Sequence, residues 1–194
     1  MKEEIIITSG NKGKIREVQE ILTDYKILSL EEMGIDIDVE EDKDTFEGNA
    51  IKKAVEISKY LNGKMVIADD SGIEIEYLNG FPGVFTKRWN AGTDRDRNLG
   101  IIKKLDGLKK EDRKITMVTA IALAQNEKTI TTKGIIEGYV TEEPRGENGF
   151  GFDEIFELEN GKTLAELSAE EKNKISARKR ALELLKDKLN ERER

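Results

Sequence analysis

The chain has 194 residues, enough for one sizeable core but not comfortably for two independent domains. Charged residues make up 38% of it and the net charge is -7, which argues against broad nucleic-acid binding, since that needs a positive field. It holds neither cysteine nor histidine, so disulfides, thiolate chemistry, serine–histidine triads and histidine metal sites are excluded.

Lys2-Glu3-Glu4 leads into Ile5-Ile6-Ile7, an apolar stretch too short for a signal peptide and suited to a buried first strand. No run approaches membrane-spanning length, so no membrane partner is expected and the cytoplasm is the expected compartment. Thr8-Ser9-Gly10-Asn11-Lys12-Gly13-Lys14 reads as a small-residue loop. Ile15, Val18 and Leu22, at i, i+3 and i+7, predict an amphipathic helix after it. A second strand is predicted over 25–30, and residues 31–45 are acidic and irregular. Thr45 is a candidate cap for a helix through Phe46, Ala50, Ala54, Ile57 and Leu61, ended by Asn62-Gly63.

Met65-Val66-Ile67-Ala68 is an apolar run that closes abruptly on Asp69-Asp70-Ser71-Gly72. It predicts a buried strand ending in a tight turn, with the carboxylates at the strand's carboxyl end, where open α/β sheets place ligands. Alternation along the strand turns Asp69 and Asp70 opposite ways, so only one reaches a given cleft. Ile73-Glu74-Ile75-Glu76-Tyr77 alternates strictly, and Phe81-Pro82-Gly83-Val84-Phe85 is a structured loop. Leu99, Ile102 and Leu105 predict a helix near 94–105. Strand-like stretches over 115–124 and 129–140 meet near Asn126-Glu127 as a hairpin. Gly149-Phe150-Gly151-Phe152-Asp153 is a second glycine-spaced loop. Ser168 with Glu171 forms a capping box that opens a helical C-terminus, with Leu182, Leu185 and Leu189 as its core stripe and Ala181 beside them. The whole reads as one α/β domain over 1–194 with an antiparallel extension.

Without histidine or cysteine, a general base must be a carboxylate, a lysine, a tyrosine or a metal-bound hydroxide, and hard cations such as Mg²⁺ or Mn²⁺ suit the donors that remain. Three constellations could use them. In the first loop, small residues admit a ligand to the backbone, free N–H groups at the helix start attract anions, and Lys12 and Lys14 add charge. It is neither a P-loop nor a dinucleotide fingerprint, and an ordinary βα turn with solvated lysines fits it too. The acidic run Glu40-Glu41-Asp42, with Asp44 and Glu47, is a solvated loop unless the fold brings a carboxylate to Asp70. Two carboxylates with waters or phosphate oxygens would then complete an octahedral Mg²⁺ site. In the third, one continuous helix would set Lys172 and Arg178 about 120° apart. A break at Ser176 would instead put Arg178 in the first turn of a new helix, suited to an anionic ligand.

Five motifs in register resemble the inosine triphosphate pyrophosphatase family over nearly the whole chain: Ser9-Gly10-Asn11-Lys12-Gly13-Lys14; Thr45-Phe46…Asn49-Ala50…Lys53-Ala54; Ala68-Asp69-Asp70-Ser71-Gly72 with Gly80-Phe81-Pro82-Gly83-Val84-Phe85; Gly149-Phe150-Gly151-Phe152-Asp153-Glu154-Ile155-Phe156; and Thr163…Ala165-Glu166-Leu167 with Glu171-Lys172-Asn173…Ile175-Ser176…Arg178. The resemblance implies an elongated mixed β-sheet flanked by helices, forming two lobes with a central nucleotide cleft, usually as a homodimer. It implies hydrolysis of ITP, dITP and XTP to the monophosphate and pyrophosphate. Ser9, Gly10, Asn11, Lys12, Gly13 and Lys14 would hold the phosphates, with Lys172 adding charge. Glu41 and Asp70 would hold Mg²⁺, Asp70 also accepting the proton of the attacking water. Ser71 and Arg178 would line the substrate site. Phe150, Gly151, Phe152 and Asp153 would hold the base, with Phe152 stacking on it. Where the family carries Ser-His-Arg, this chain has Ser176-Ala177-Arg178, and alanine cannot donate a hydrogen bond to a 6-oxo group. That departure implies two alternatives, a pyrophosphatase with altered base choice or a nucleotide-binding protein that has lost catalysis.

Overall fold

A computed structural model describes residues 2–192. The strands are β1 (Glu4–Ile7), β2 (Lys26–Ser29), β3 (Met65–Ile75), β4 (Phe81–Pro82), β5 (Lys114–Gln125), β6 (Lys128–Val140) and β7 (Phe156–Glu157). The helices are α1 (Lys12–Ile21), α2 (Phe46–Tyr60), α3 (Asp94–Lys104), α4 (Ala169–Ile175) and α5 (Ala177–Arg192). Hydrogen-bonded neighbours run in the order β2-β1-β3-β5-β6-β7, with β4 on β3. The fold is mixed α/β, as expected. The chain forms two compact units: one comprises residues up to Ser71, Thr119–Gly134 and Ala177 onward, the other Gly72–Val118 and Ile135–Ser176.

In the first unit β1 pairs in parallel with β2 and with the start of β3, Ile6 lying opposite both Leu28 and Val66. All three isoleucines of β1 are buried, because a parallel sheet is covered on both faces and β-branched side chains fit its pleat. Ile5, Ile7, Val18, Ile67 and Ile121 pack with Ala181, Leu182, Leu185 and Leu189 of α5, so the leucine stripe meets the core as its spacing requires. Thr45 caps α2, its hydroxyl accepting the Gly48 N–H at 3.0 Å. Asn126 turns the β5–β6 hairpin at φ 56°, a left-handed position that asparagine tolerates.

Gly134 on β6 lies under the first turn of α5. A β-carbon there would stand 2.0 Å from the Ala177 carbonyl oxygen and 2.7 Å from the Ala181 nitrogen. Gly134→Ala is therefore expected to push α5 off the sheet and to cost about 1–3 kcal/mol, the range for overpacking a tight core. Thermal unfolding reads this as a lowered Tm, and an unchanged Tm would show that the helix gives way freely.

In the second unit β4 pairs antiparallel with the end of β3, and β7 with the end of β6. Ile73, Ile75, Ile101, Leu105, Ile155 and Phe156 are fully buried there. The buried Arg113 guanidinium donates to the Leu105, Val140 and Thr141 carbonyls. Among the described residues, no helix is long and apolar enough to cross a membrane.

Three local expectations change. Asp69-Asp70-Ser71-Gly72 is not a turn: β3 runs straight through it for 11 residues. The acids find partners on neighbouring helices, and Gly72 is not among the left-handed glycines, so nothing bends the chain. In α3 the buried face carries Asn98 and Ile101, with the buried Leu105 capping its end, whereas Leu99 is 46% exposed. The first loop is shorter than predicted, because α1 begins at Lys12 with Asn11 as its cap.

Candidate active site

Asp69 and Asp70 point to opposite sides of β3, as strand alternation demands. Asp69 Oδ2 accepts from Lys14 Nζ at 2.8 Å, from Arg178 Nη2 at 3.2 Å and from Ser71 Oγ at 3.4 Å. Arg178 also reaches Glu17 at 3.4 Å. Burial alone would push the Asp69 carboxyl up, but the Lys14 and Arg178 charges outweigh it and hold the group well below the usual carboxylate range. A small void with room for about one water lies against Lys14, Asp69 and Arg178, walled by Ile7, Val18, Ile67 and Ile121. Arg178 reaches this cluster because the helix breaks at Ser176, whose extended backbone (φ -64°, ψ 142°) separates α4 from α5. Ala177, the first residue of α5, is 2% exposed.

Asp70 faces α2. Its Oδ2 accepts from Asn49 Nδ2 at 2.9 Å and its Oδ1 from the Ser71 N–H at 2.9 Å. Asn49 is buried, and its Oδ1 takes the Lys43 N–H at 2.9 Å, which fixes the amide with its donor toward Asp70. Burial raises the Asp70 carboxyl above the ordinary aspartate value, and the Glu41 charge adds to that against the pull of Asn49, Lys53 and the Ser71 N–H. Glu41 receives the Lys53 ammonium. Its neighbour Glu40 is exposed and engages Lys52 through its carbonyl, at 2.9 Å.

Glu41, which holds the Lys53 ammonium, lies near enough to Asp70 for its charge to act on that carboxyl. Among the described residues, no cluster of three or more acidic side chains could hold a metal. Two hard oxygen ligands fit Mg²⁺, which keeps several waters and shares substrate phosphates rather than sitting in an all-protein cage. Asn49 and Lys53 were not among the site residues drawn from the sequence. The signal was their i, i+4 spacing inside the motif at 45–54, which sets both on one face of α2.

The first loop offers less bare backbone than expected. Asn11 Oδ1 accepts the Gly13 and Lys14 N–H groups at 2.9 and 3.2 Å, and Ser9 Oγ accepts the Asn11 N–H at 3.2 Å. These donors are therefore occupied, because asparagine at a cap position satisfies the helix's own orphan groups. Gly10 and Lys12 are exposed.

In the second unit, Asp153 is 2% exposed, and its Oδ2 accepts the Phe150 N–H at 2.8 Å and the Lys172 ammonium. Lys172 Nζ also stands 4.4 Å from the centroid of the Phe150 ring. Gly149 has φ 84°, and a β-carbon there would fall 2.1 Å from Asp153 Oδ2. Phe150 is 70% exposed while Phe152 is 7% exposed, so the ring presented to solvent is Phe150.

The Ham1 family's sequence signature matches residues 5–188. The chain belongs to the Ham1 family. A dITP/XTP pyrophosphatase of Bacillus subtilis (strain 168) is 48% identical over 192 residues, 95% of this chain and 96% of that protein. A protein of the same name from Clostridium perfringens is 44% identical over 198 residues, covering 96% and 97%. The Ham1 protein of Staphylococcus aureus superposes with a TM-score of 0.90 at 39% identity, over 98% of this chain and 100% of that one. The Coxiella burnetii HAM1 protein gives 0.90 and 39%, over 97% and 99%. Within this Ham1 chain, the five motifs read from the sequence all fall inside the matched span.

Proposed function

We propose that this chain hydrolyses non-standard purine nucleoside triphosphates (ITP, dITP and XTP) to the monophosphate and pyrophosphate with Mg²⁺, removing them from the nucleotide pool. The observation that carries the reading is the division of labour between adjacent acids. Asp69 is locked between Lys14 and Arg178, whereas Asp70 is half-buried, accepts from the Asn49 amide and the Ser71 N–H, and has its carboxyl raised by partial burial and the Glu41 charge. The names of the 40–48% identical relatives point to the same chemistry.

Glu41 and Asp70 would hold Mg²⁺, which supplies charge for the phosphates and a lowered pKa for bound water. Asp70, held by Asn49 and the Ser71 N–H, takes the proton of a water attacking the α-phosphorus. Ser9, Gly10, Asn11, Lys12, Gly13 and Lys14 border the triphosphate, as the family resemblance implies, with Arg178 and Ser71 beside them. Lys14 and Arg178 are held by Asp69 and would lend their charge by exchanging that carboxylate for phosphate oxygens. In the second unit, Phe150, Gly151, Phe152 and Asp153 hold the base, and Lys172, expected to add charge at the phosphates, instead pairs with Asp153 and stands over the Phe150 ring. Oriented water, cationic clamps and excluded solvent suffice for such a displacement, so a chain without histidine can carry it. We take the working form to be a cytoplasmic homodimer, in line with the family resemblance and the cysteine-free, charge-rich composition.

The test is pyrophosphate release from ITP, dITP, XTP, GTP and ATP. Turnover of the first three, lost on chelation with EDTA and restored by Mg²⁺, is the expected result, and no turnover of any triphosphate would defeat the reading. Altered base choice is favoured by one observation, the side chain of Ala177, which offers no donor to a base. The same panel widened to modified pyrimidine triphosphates separates the two.

A further inference from the structure

Asp94 and Asn98 are one turn apart on α3 and share a face of that helix. Together they hold both backbone polar groups of a single residue, Gly151. Asp94 Oδ2 accepts the Gly151 N–H at 2.9 Å, and Asn98 Nδ2 donates to the Gly151 carbonyl at 3.0 Å. Gly151 sits at φ 64°, a left-handed conformation that favours glycine. On the other side of the same loop, Asp153 takes the Phe150 N–H and the Asp153 N–H returns to the Phe150 carbonyl at 3.3 Å. The helix end that supplies the grip is itself fixed by a Thr93–Asp96 capping box, and Arg97 Nη2 reaches Asp94 Oδ1 at 2.5 Å. Asn98 is 1% exposed, an expensive place for an amide unless it has a task.

We propose that Asp94 and Asn98 are positioning residues for base recognition, with α3 clamping Gly151 so that the Phe150–Asp153 loop meets the base already in its binding conformation. The inference rests on the reading that this loop holds the base. A loop that must be ordered on binding loses affinity to that ordering, and a loop that can shift accepts the wrong hydrogen-bonding edge. Both residues hold Gly151 of the base loop, so the clamp acts on KM and on selectivity.

The experiment compares the parent protein with Asp94→Ala, Asp94→Asn and Asn98→Ala, measuring kcat and KM for ITP, XTP and GTP with Mg²⁺. Losing one hydrogen bond of ordinary strength predicts a KM for ITP raised about 5- to 10-fold in Asp94→Ala and Asn98→Ala. The same variants are expected to keep kcat within about twofold and to lose several-fold of the ITP-over-GTP preference. Asp94→Asn keeps an oxygen for the Gly151 N–H and is expected to restore most of the KM. Asn98 is a core position, so the half-exposed Asp94 carries the test if Asn98→Ala unfolds. An unchanged KM and base preference in Asp94→Ala, or a fall in kcat alone, overturns the proposal. Phe150→Ala separates the two levels of the argument. If it leaves KM unchanged for every base, the base-loop reading fails; if it raises KM while Asp94→Ala does not, the clamp alone fails.

Discussion

Asp70→Asn is expected to lower kcat/KM for ITP and XTP by roughly 10²–10⁴-fold, the range for removing a general base, while leaving the protein folded. The substitution keeps the shape of the side chain and an oxygen for the Ser71 N–H, but it removes the proton acceptor and one of two carboxylates beside Lys53. Its effect on stability is set by two opposed changes. Burial and the Glu41 charge both disfavour the ionised form of Asp70, so the folded protein carries that carboxylate at a cost. A neutral isostere relieves that cost, but its amide N–H₂ faces the Asn49 donor that the carboxylate accepted, so Tm is expected to stay near the parent's as activity disappears. Pyrophosphate release and thermal unfolding on the same preparation check both halves. Full activity in Asp70→Asn would remove Asp70 from the mechanism.

The adjacent change has the reverse signature. Asp69→Asn leaves Lys14 and Arg178 facing each other without their shared anion, and breaking a buried pair in this way costs roughly 3 kcal/mol or more. For a chain of this length that corresponds to a fall in Tm of roughly 6–12 °C. The effect carries a pH dependence of definite sign. The Asp69 carboxyl titrates in the folded state below the ~3.9 of an unfolded aspartate. Its contribution is therefore complete above the unfolded value and is lost as pH falls through that value toward the folded one. The stability gap between parent and Asp69→Asn is expected to stay constant from about pH 6 to 8 and to narrow below about pH 4. A gap missing at neutral pH, or one that widens in acid, would contradict the assignment.

Much of the local architecture was legible because it is written in short-range periodicity. The triple isoleucine of β1, the Thr45 cap of α2, the Asn126 hairpin and the leucine stripe of α5 each depend on residues a few positions apart. Helix geometry leaves a break at Ser176 and one continuous helix as alternatives, and the fold takes the break. At Asp69-Asp70-Ser71-Gly72 the local pattern predicts a turn where β3 continues, because acids followed by glycine favour turns only when their side chains lack partners elsewhere. Here the partners are Lys14, Arg178 and Asn49, all outside any local window. The N–H groups of the first loop are occupied for a related reason, since Asn11 serves its own helix before any ligand.

By itself the sequence determined the chemical inventory. A chain with no histidine and no cysteine must work with carboxylates and lysines, and five ordered motifs tie those to one family. Only the tertiary structure decided which acid is available. Lys14 and Arg178, 55 and 109 residues from Asp69, quench that carboxylate, whereas Asn49, 21 residues from Asp70, orients the other one without neutralising it. Only the tertiary structure set Phe150 outward and Phe152 inward, and only it gave Gly151 its two anchors on α3. Electrostatics and burial belong to the folded surroundings of a residue, so two identical neighbours in sequence become different chemical groups once the chain is folded.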